Sequence, residues 1–362
     1  MRRLFLLFLL LAILPLSKAM AADTCIYDAS KAPRGERSVT LKRGVNLSRW
    51  WEDRRDTSYK SEDIPKLRGQ GFDYVRLPLH PVWLTLSDED EQKDRLAELR
   101  CDLVELLNQG LSVIIDLHPG LAGESRLKET PRETMAQVEG IWKNLQPVIK
   151  DFPSQRIFLG LYNEPPVESF LWWQMQEQLV NNLRKDFPKN TFVVTTGPHS
   201  GWWELILMKP YKDKNLLYDF HFYDPMIVTH HGVEWLPEWR SRTPIVYPVD
   251  TKFDFDMDDA KIQEYVMRGW NRATIIEIIG RVEEWRRRSK VRVICTEFGV
   301  YRPHIDDQSR YNWLRDVREA LEKAGIPWAL WEYRGRFGLI DPRGNSDKAM
   351  AEALGLGHTD SP

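Results

Sequence analysis

Residues 156–166 read RIFLGLYNEPP: a run that is almost wholly apolar, then an asparagine–glutamate pair, then two prolines. Ile157, Phe158, Leu159, Leu161 and Tyr162 leave neither face of an extended chain polar, which is the pattern of a strand covered on both sides. Seven other short stretches are strand candidates, several of them also apolar on both faces, at 41–47 (LKRGVNL), 72–77 (FDYVRL), 111–117 (LSVIIDL), 191–195 (TFVVT), 216–222 (LLYDFHF), 291–296 (VRVICT) and 327–331 (PWALW). Between them lie segments of helical period, at 61–69, 89–108, 131–150, 168–187, 201–208, 260–289, 306–323 and 346–354. Helix-stop signals recur just before strands, as in Asn108-Gln109-Gly110 and Ala324-Gly325-Ile326-Pro327. This alternation predicts an α/β fold, a single-domain (β/α)8 TIM barrel over residues 41–355. A doubly wound open sheet is the alternative, but no GxGxxG follows the first strand. The one long irregular stretch is 223–259, after the sixth strand, and loops of that length in compact domains are usually functional.

Composition narrows the classes of function. Of 362 residues, 42% are hydrophobic and 29% charged, enough apolar mass for a sizeable core and too much for a disordered chain. Lys+Arg number 51 against 53 Asp+Glu, a net charge of −2, so no basic excess exists to neutralise a phosphate backbone and nucleic acid is excluded as a partner. Cys25, Cys101 and Cys295 are too few for a disulfide framework; a Cys25–Cys101 pair and three unrelated thiols both remain open. Arg2-Arg3 precede an apolar run, Leu4 to Leu14, that is shorter than the roughly 20 residues a membrane span needs. With Ala19-Met20-Ala21 behind it, the run predicts a secretory signal over 1–21, followed by a lead-in segment at 22–40. The expectation is a secreted or periplasmic protein, free of the membrane once cleaved and monomeric; an uncleaved anchor is the rival.

In a barrel of this kind chemistry gathers where strands end. Strand two ends with Arg76, strand three with Asp116 and His118, strand four with Asn163 and Glu164. Strand six ends with His221, Tyr223 and Asp224, strand seven with Glu297, and strand eight with Trp331 and Glu332. Two glutamates at the ends of different strands imply a facing pair of carboxyls over a ring of donors, the arrangement glycoside hydrolysis requires. One must stay protonated while the other is ionised. Glu297 shares its rim with Arg76 and Tyr223, which favour the ionised form, whereas Glu164 has no cationic neighbour in its motif. That reading makes Glu297 the nucleophile and Glu164 the acid/base with a raised pKa.

Arg76, His118, Asn163, Glu164, His221, Tyr223, Glu297 and Trp331, in this order, resemble the active site of glycoside hydrolase family 5, the cellulase-type retaining hydrolases, over about residues 40–340. The resemblance implies that Asn163 bonds the substituent at sugar C2, that His118 and His221 hold hydroxyls and position the carboxyls, and that Trp331 floors the subsite beside the cleaved bond. The expected activity is a retaining, endo-β-1,4-glucanase-like hydrolysis of a β-linked polysaccharide with no metal or organic cofactor. An exo-β-glucosidase, a β-mannanase, an exopolysaccharide hydrolase and, from another class, a non-catalytic polysaccharide-binding protein are the alternatives. The resemblance supplies no role for His230-His231-Gly232, Trp235, Trp239 or Tyr247-Pro248, and only Glu234 lies near the paired histidines, so metal is not expected there. The chain has 15 Trp. Those past strands or in the long loop suit sugar faces, and Trp50, Trp51, Trp203 and Trp235 are the candidate subsite aromatics.

Overall fold

The computed structural model describes residues 25–31, 41–52, 61–239 and 243–357. Its strands are β1 (Arg43–Asn46), β2 (Tyr74–Leu79), β3 (Ser112–Leu117), β4 (Ile157–Gly160), β5 (Phe192–Val194), β6 (Leu216–Phe222), β7 (Arg292–Phe298) and β8 (Trp328–Leu330). They pair in sequence order, β8 returns to β1, and every pairing is parallel, so the sheet closes as a TIM barrel with all its C-terminal ends on one rim. The helices are α1 (Ile64–Gln70), α2 (Glu89–Asn108), α3 (Gly120–Glu129), α4 (Pro131–Ile149), α5 (Ser169–Leu183), α6 (Trp202–Leu205), α7 (Met226–Thr229), α8 (Ala260–Arg268), α9 (Arg272–Ser289), α10 (Asp307–Lys323) and α11 (Lys348–Ala353). Among the described residues no helix is long and apolar enough to cross a membrane. The expected signal at 1–21 lies outside the described residues, as do 22–24 and 32–40 of the lead-in.

Successive strand residues point to opposite faces, and this alternation sorts the chain into two cores. Outward, Val75, Leu77, Val113, Ile115 and Leu159 pack with Leu103, Trp142 and Val180 of the surrounding helices. Inward, Leu41, Tyr74, Ile114, Phe158, Val193, Leu217, Ile294 and Ala329 close a buried apolar plug across the barrel. Each fully buried aliphatic or phenyl side chain in these layers contributes about 1.5–3 kcal/mol. Gly44 is required by the plug, since a Cβ there would stand 2.3 Å from the Tyr74 ring. Two residues further along the inward faces, the pattern turns polar: Asn46, Arg76, Asp116, Asp219 and Thr296 are all buried. The apolar layer seals the barrel floor, and the polar layer above it carries the site.

Three departures from the sequence reading have local causes. The helix expected over 260–289 is two helices, because Gly269 takes a left-handed φ of 59° and the Asn271 side chain then caps α9 by accepting from the N–H groups of Ala273 and Thr274. A stretch without an assigned element, 120–129, forms α3 despite its two glycines. The 223–259 segment, expected to be irregular throughout, contains the short helix α7 and is tied down at it: the Tyr301 N–H donates to the Thr229 carbonyl at 2.8 Å, and Val233 packs with Tyr301 and Phe337. Gly232 sits at φ 72° where a Cβ would stand 2.2 Å from the His304 ring, so the fold of that loop needs glycine there.

Cys25 and Cys101 are joined in a disulfide, and Cys295 is the buried free thiol of β7. The bridge ties the N-terminal segment to α2 across a sequence separation of 76 residues. A loop of that length restricts the unfolded chain, so Cys25→Ser with Cys101→Ser is expected to lower unfolding free energy by about 2–4 kcal/mol. Urea unfolding of the wild type and the double variant measures it, and equal midpoints would refute it.

Candidate active site

Arg76 on β2 is the centre of the polar layer, buried at 1% exposure. Its Nη1 donates to Asn46 Oδ1 at 3.0 Å and to Glu297 Oε1 at 2.5 Å; its Nη2 donates to Asn163 Oδ1 at 2.6 Å and lies 2.9 Å from Asp116 Oδ2. Burial opposes its charge, but Asp116, Glu297 and Asp219 together hold its pKa above the usual value. Gly160 leaves room for this cluster, because a Cβ there would stand 2.7 Å from Asp116 Oδ1.

Glu297 reaches the cluster through an irregularity of β7. Phe220 pairs with Cys295 but His221 with Glu297, so Thr296 is an extra residue. The bulge turns Thr296 and Glu297 inward in succession, Thr296 onto Asp219 and Glu297 onto Arg76. The second Glu297 oxygen accepts from the Tyr223 hydroxyl at 3.0 Å and lies 3.6 Å from His221 Nδ1.

Glu164 approaches from the end of β4, with a left-handed φ of 37°. Its Oε1 is 2.7 Å from His221 Nδ1, and its side chain keeps 29% exposure where Glu297 keeps 6%. One oxygen of each glutamate and a ring nitrogen of His221 all lie within 4.8 Å of one another. Among the described residues these three are the group with the spacing of a cation site, but the Arg76 guanidinium already pairs with Glu297 and opposes a second cation.

The acid strengths correct one sequence expectation. The sequence puts no cationic neighbour in the Glu164 motif and predicts a raised pKa; in the structure its neighbour is His221, from another strand. Burial works to raise the Glu164 pKa, but the His221 hydrogen bond and the charges of His221, His199 and His118 outweigh it and hold it at about 2. Burial pushes Glu297 up against the pull of His221 and Arg76, with the Glu164 charge adding to the rise. Burial opposes the His221 charge as well, yet Glu297, Asp219 and Glu164 hold that ring up to about 10. These mutual pulls favour an imidazolium between the two carboxyls. Both Glu297 oxygens still accept hydrogen bonds, one from a guanidinium that has no lone pair, as an ionised carboxylate requires.

The remaining residues form the walls. His118 Nδ1 is 3.2 Å from Asp116 and its Nε2 3.2 Å from Asn163 Nδ2, while Trp331 stacks against its ring with centroids 5.8 Å apart. Burial disfavours the His118 charge, but Glu52 and Asp116 raise its pKa. Tyr223 is held by the long loop, edge-on to His230 with centroids 4.8 Å apart, and burial pushes His230 down to about 4, which makes it a neutral packing group. His230 and His231 part company: His230 meets Tyr223 and Phe337, whereas His231 is influenced by Thr243, His304 and Ile227.

All eight residues expected at the site thus come together. The candidate subsite aromatics do not share one fate. Trp51 is fully buried in the main core with its indole N–H donating to Asp102 Oδ2, so it is a packing residue and not a sugar platform. Trp50 is half-buried against that core. Trp203 and Trp235 are 53% and 56% exposed, with Trp235 edge-on to Tyr301. Sequence reading missed the part played by Asn46, Asp219, Thr296 and Ser48, the last of which bonds the buried Glu332. Burial raises Glu332 to about 7 against the pull of Ser48 and Arg49. A signal for Asn46 and Ser48 existed in their place at the end of strand one and just past it; Thr296 had none, since strict alternation puts it and Glu297 on opposite faces.

The family model of cellulase, glycosyl hydrolase family 5, matches residues 34–336. Endoglucanase 3 of Fibrobacter succinogenes is 26% identical over 354 residues, which cover 88% of this chain and 53% of that protein, so the chain spans about half its length. Endoglucanase C of Acetivibrio thermocellus is 26% identical over 327 residues, covering 82% of this chain and 92% of that one. A solved structure of Thermotoga maritima Cel5A with cellobiose superposes with a TM-score of 0.71 at 26% identity, covering 87% of this chain and 97% of that one.

The different settings of the tryptophans separate stability from binding. Trp51→Ala is expected to cost about 3–5 kcal/mol of unfolding free energy through the cavity it leaves. Trp203→Ala is expected to stay within about 0.5 kcal/mol of wild type, as a surface change away from buried features does. Thermal or urea unfolding compares them, and a Trp51 variant as stable as the Trp203 variant would contradict the assignment.

Proposed function

The chain belongs to glycosyl hydrolase family 5 and is a glycoside hydrolase; from that premise we propose an exported, retaining endo-β-1,4-glucanase-like enzyme in which Glu297 is the nucleophile and Glu164 the acid/base. The observation that carries the reading is the pair of carboxyls at the ends of β4 and β7, with oxygens within 4.8 Å of each other. Retaining enzymes keep their carboxyls about 5–5.5 Å apart, whereas inverters need roughly 6.5–9.5 Å for an intervening water.

The chemistry follows from what holds each group. Arg76 and Tyr223 fix both oxygens of Glu297, so one is aimed as it attacks the anomeric carbon and the glycosidic C–O bond breaks. Glu164 gives the departing oxygen its proton. In the second step Glu164 takes a proton from water, whose oxygen attacks the same carbon as the bond to Glu297 breaks. In this reading Asn163, anchored by Arg76, bonds the sugar C2 substituent, and Trp331, stacked on His118, lies against the sugar face.

Three further points support the specificity and compartment. The relatives named endoglucanase favour β-1,4-glucan as the substrate. Trp203, in α6 after β5, and Trp235, in the loop after β6, are exposed aromatics beyond strand ends, the type of side chain that takes sugar faces. Export rests on the Arg2-Arg3 and Leu4–Leu14 leader pattern and on the Cys25–Cys101 bridge, which persists in oxidising compartments.

Glu297→Ala is expected to remove turnover of every substrate. Glu164→Ala should lose about 10²–10⁴-fold on unactivated glycosides and far less on dinitrophenyl glycosides, whose leaving group needs no proton. Reducing-sugar release from cellulose derivatives, β-1,3-glucan, mannan, xylan and xyloglucan selects the substrate, and NMR of the first-formed anomer reads the stereochemistry. Wild-type rates from Glu297→Ala, or inverted product, would end the proposal.

A further inference from the structure

On the far side of His221 from Glu164 lies a buried pair that the reading above does not use. Asp219 and Thr296 are 1% and 0% exposed, on β6 and β7. The bulge leaves the Thr296 N–H outside the regular ladder, and it donates to Asp219 Oδ1 at 3.0 Å; the Thr296 hydroxyl donates to Asp219 Oδ2 at 2.6 Å. A hydroxyl has one proton. With that proton directed to Asp219, only lone pairs face His221 Nε2, 3.2 Å away. Nε2 is therefore the nitrogen that carries hydrogen in either charge state of the ring. Asp219 Oδ2 itself lies 3.5 Å from Nε2 and reinforces the choice.

The other nitrogen, Nδ1, faces Glu164 Oε1 at 2.7 Å. With Nε2 already protonated, that contact has two forms: imidazolium N–H with carboxylate, or neutral nitrogen with carboxylic acid. One proton passes between Nδ1 and Oε1, and no other bond changes. Under the opposite tautomer a neutral His221 would donate Nδ1–H to Glu164, and the carboxyl would be left without the proton an acid must give.

We propose that Asp219 and Thr296 are positioning residues that fix the tautomer of His221 and thereby keep a proton available to Glu164. The inference rests on Glu164 being the acid/base. The other charged and titratable groups around His221 are Glu297 on β7, Arg76 on β2, Asp116 on β3, His118 after β3, His199 after β5, and Tyr223 and His230 from the loop after β6. Tyr74 and Cys295 lie near Asp219. Substitutions at Asp219 and Thr296 leave the identity of all of these unchanged.

The test compares the 2,4-dinitrophenyl and phenyl β-glycosides of the sugar that the substrate screen selects, because only the phenyl leaving group needs a proton. Asp219→Asn and Thr296→Val are expected to lose at least about tenfold more kcat/KM on the phenyl than on the dinitrophenyl glycoside. Both should also move the alkaline limb of the phenyl pH profile down by about one pH unit, since the pair gives up its proton more readily. Thr296→Ser, which keeps the hydroxyl, should bring both readouts back toward wild type. Equal losses on the two glycosides with an unshifted profile, or a serine variant as impaired as the valine one, would overturn the inference. Glu164→Ala separates the two claims. If it fails to discriminate between the glycosides, the acid/base reading falls; if it discriminates and Asp219→Asn does not, the tautomer proposal alone falls.

Discussion

The buried guanidinium of Arg76 is the constraint on which the upper half of the barrel depends. A cation at 1% exposure is tolerable only when its donors are matched, and its planar fork is matched by Asn46, Asp116, Asn163 and Glu297 from β1, β3, the end of β4 and β7. Each of those partners is itself buried and polar, so each would be costly without the arginine. The side chain thus draws four parts of the chain toward one point above the apolar plug. The position of Glu297 is a consequence of that requirement as much as of its own strand.

From this follows the distribution of charge. Glu164, Glu297, Asp116 and Asp219 crowd into one end of a barrel that offers Arg76 as a permanent cation. His221 stands between the two glutamates; burial opposes its charge, but they and Asp219 draw its pKa up to about 10. The two carboxyls differ in setting: Glu297 is clamped on both oxygens, while Glu164, among the described residues, is bonded to the exchangeable donor His221 and stays partly exposed.

The loop after β6 serves the same end from outside. Val233, Tyr301 and Phe337 form a small core of their own, against which Tyr223 and Trp331 pack. A segment rich in Trp, Pro and His, without obvious chemistry in the sequence, thereby steadies the donor to Glu297 and the aromatic floor of the proposed subsite. The neutral state of His230 fits this packing role.

The TIM-barrel architecture was legible because short apolar runs, several of them apolar on both faces, alternate with segments of helical period, a pattern that local composition alone determines. The convergence of the eight candidate residues was legible for a related reason: a parallel barrel sends every strand end to one rim, so the order of polar residues at those ends is already a list of neighbours. Other features were decided only by packing in three dimensions. Trp51 was indistinguishable from a cleft residue until the fold buried it against α2, and the histidine partner of Glu164 lies 57 residues away in sequence. The bulge that turns Thr296 and Glu297 inward together breaks the very alternation by which a strand is read. Sequence patterns record which faces are apolar; hydrogen-bond partners, burial and proton affinities depend on distances between segments, and those exist only once the barrel has closed.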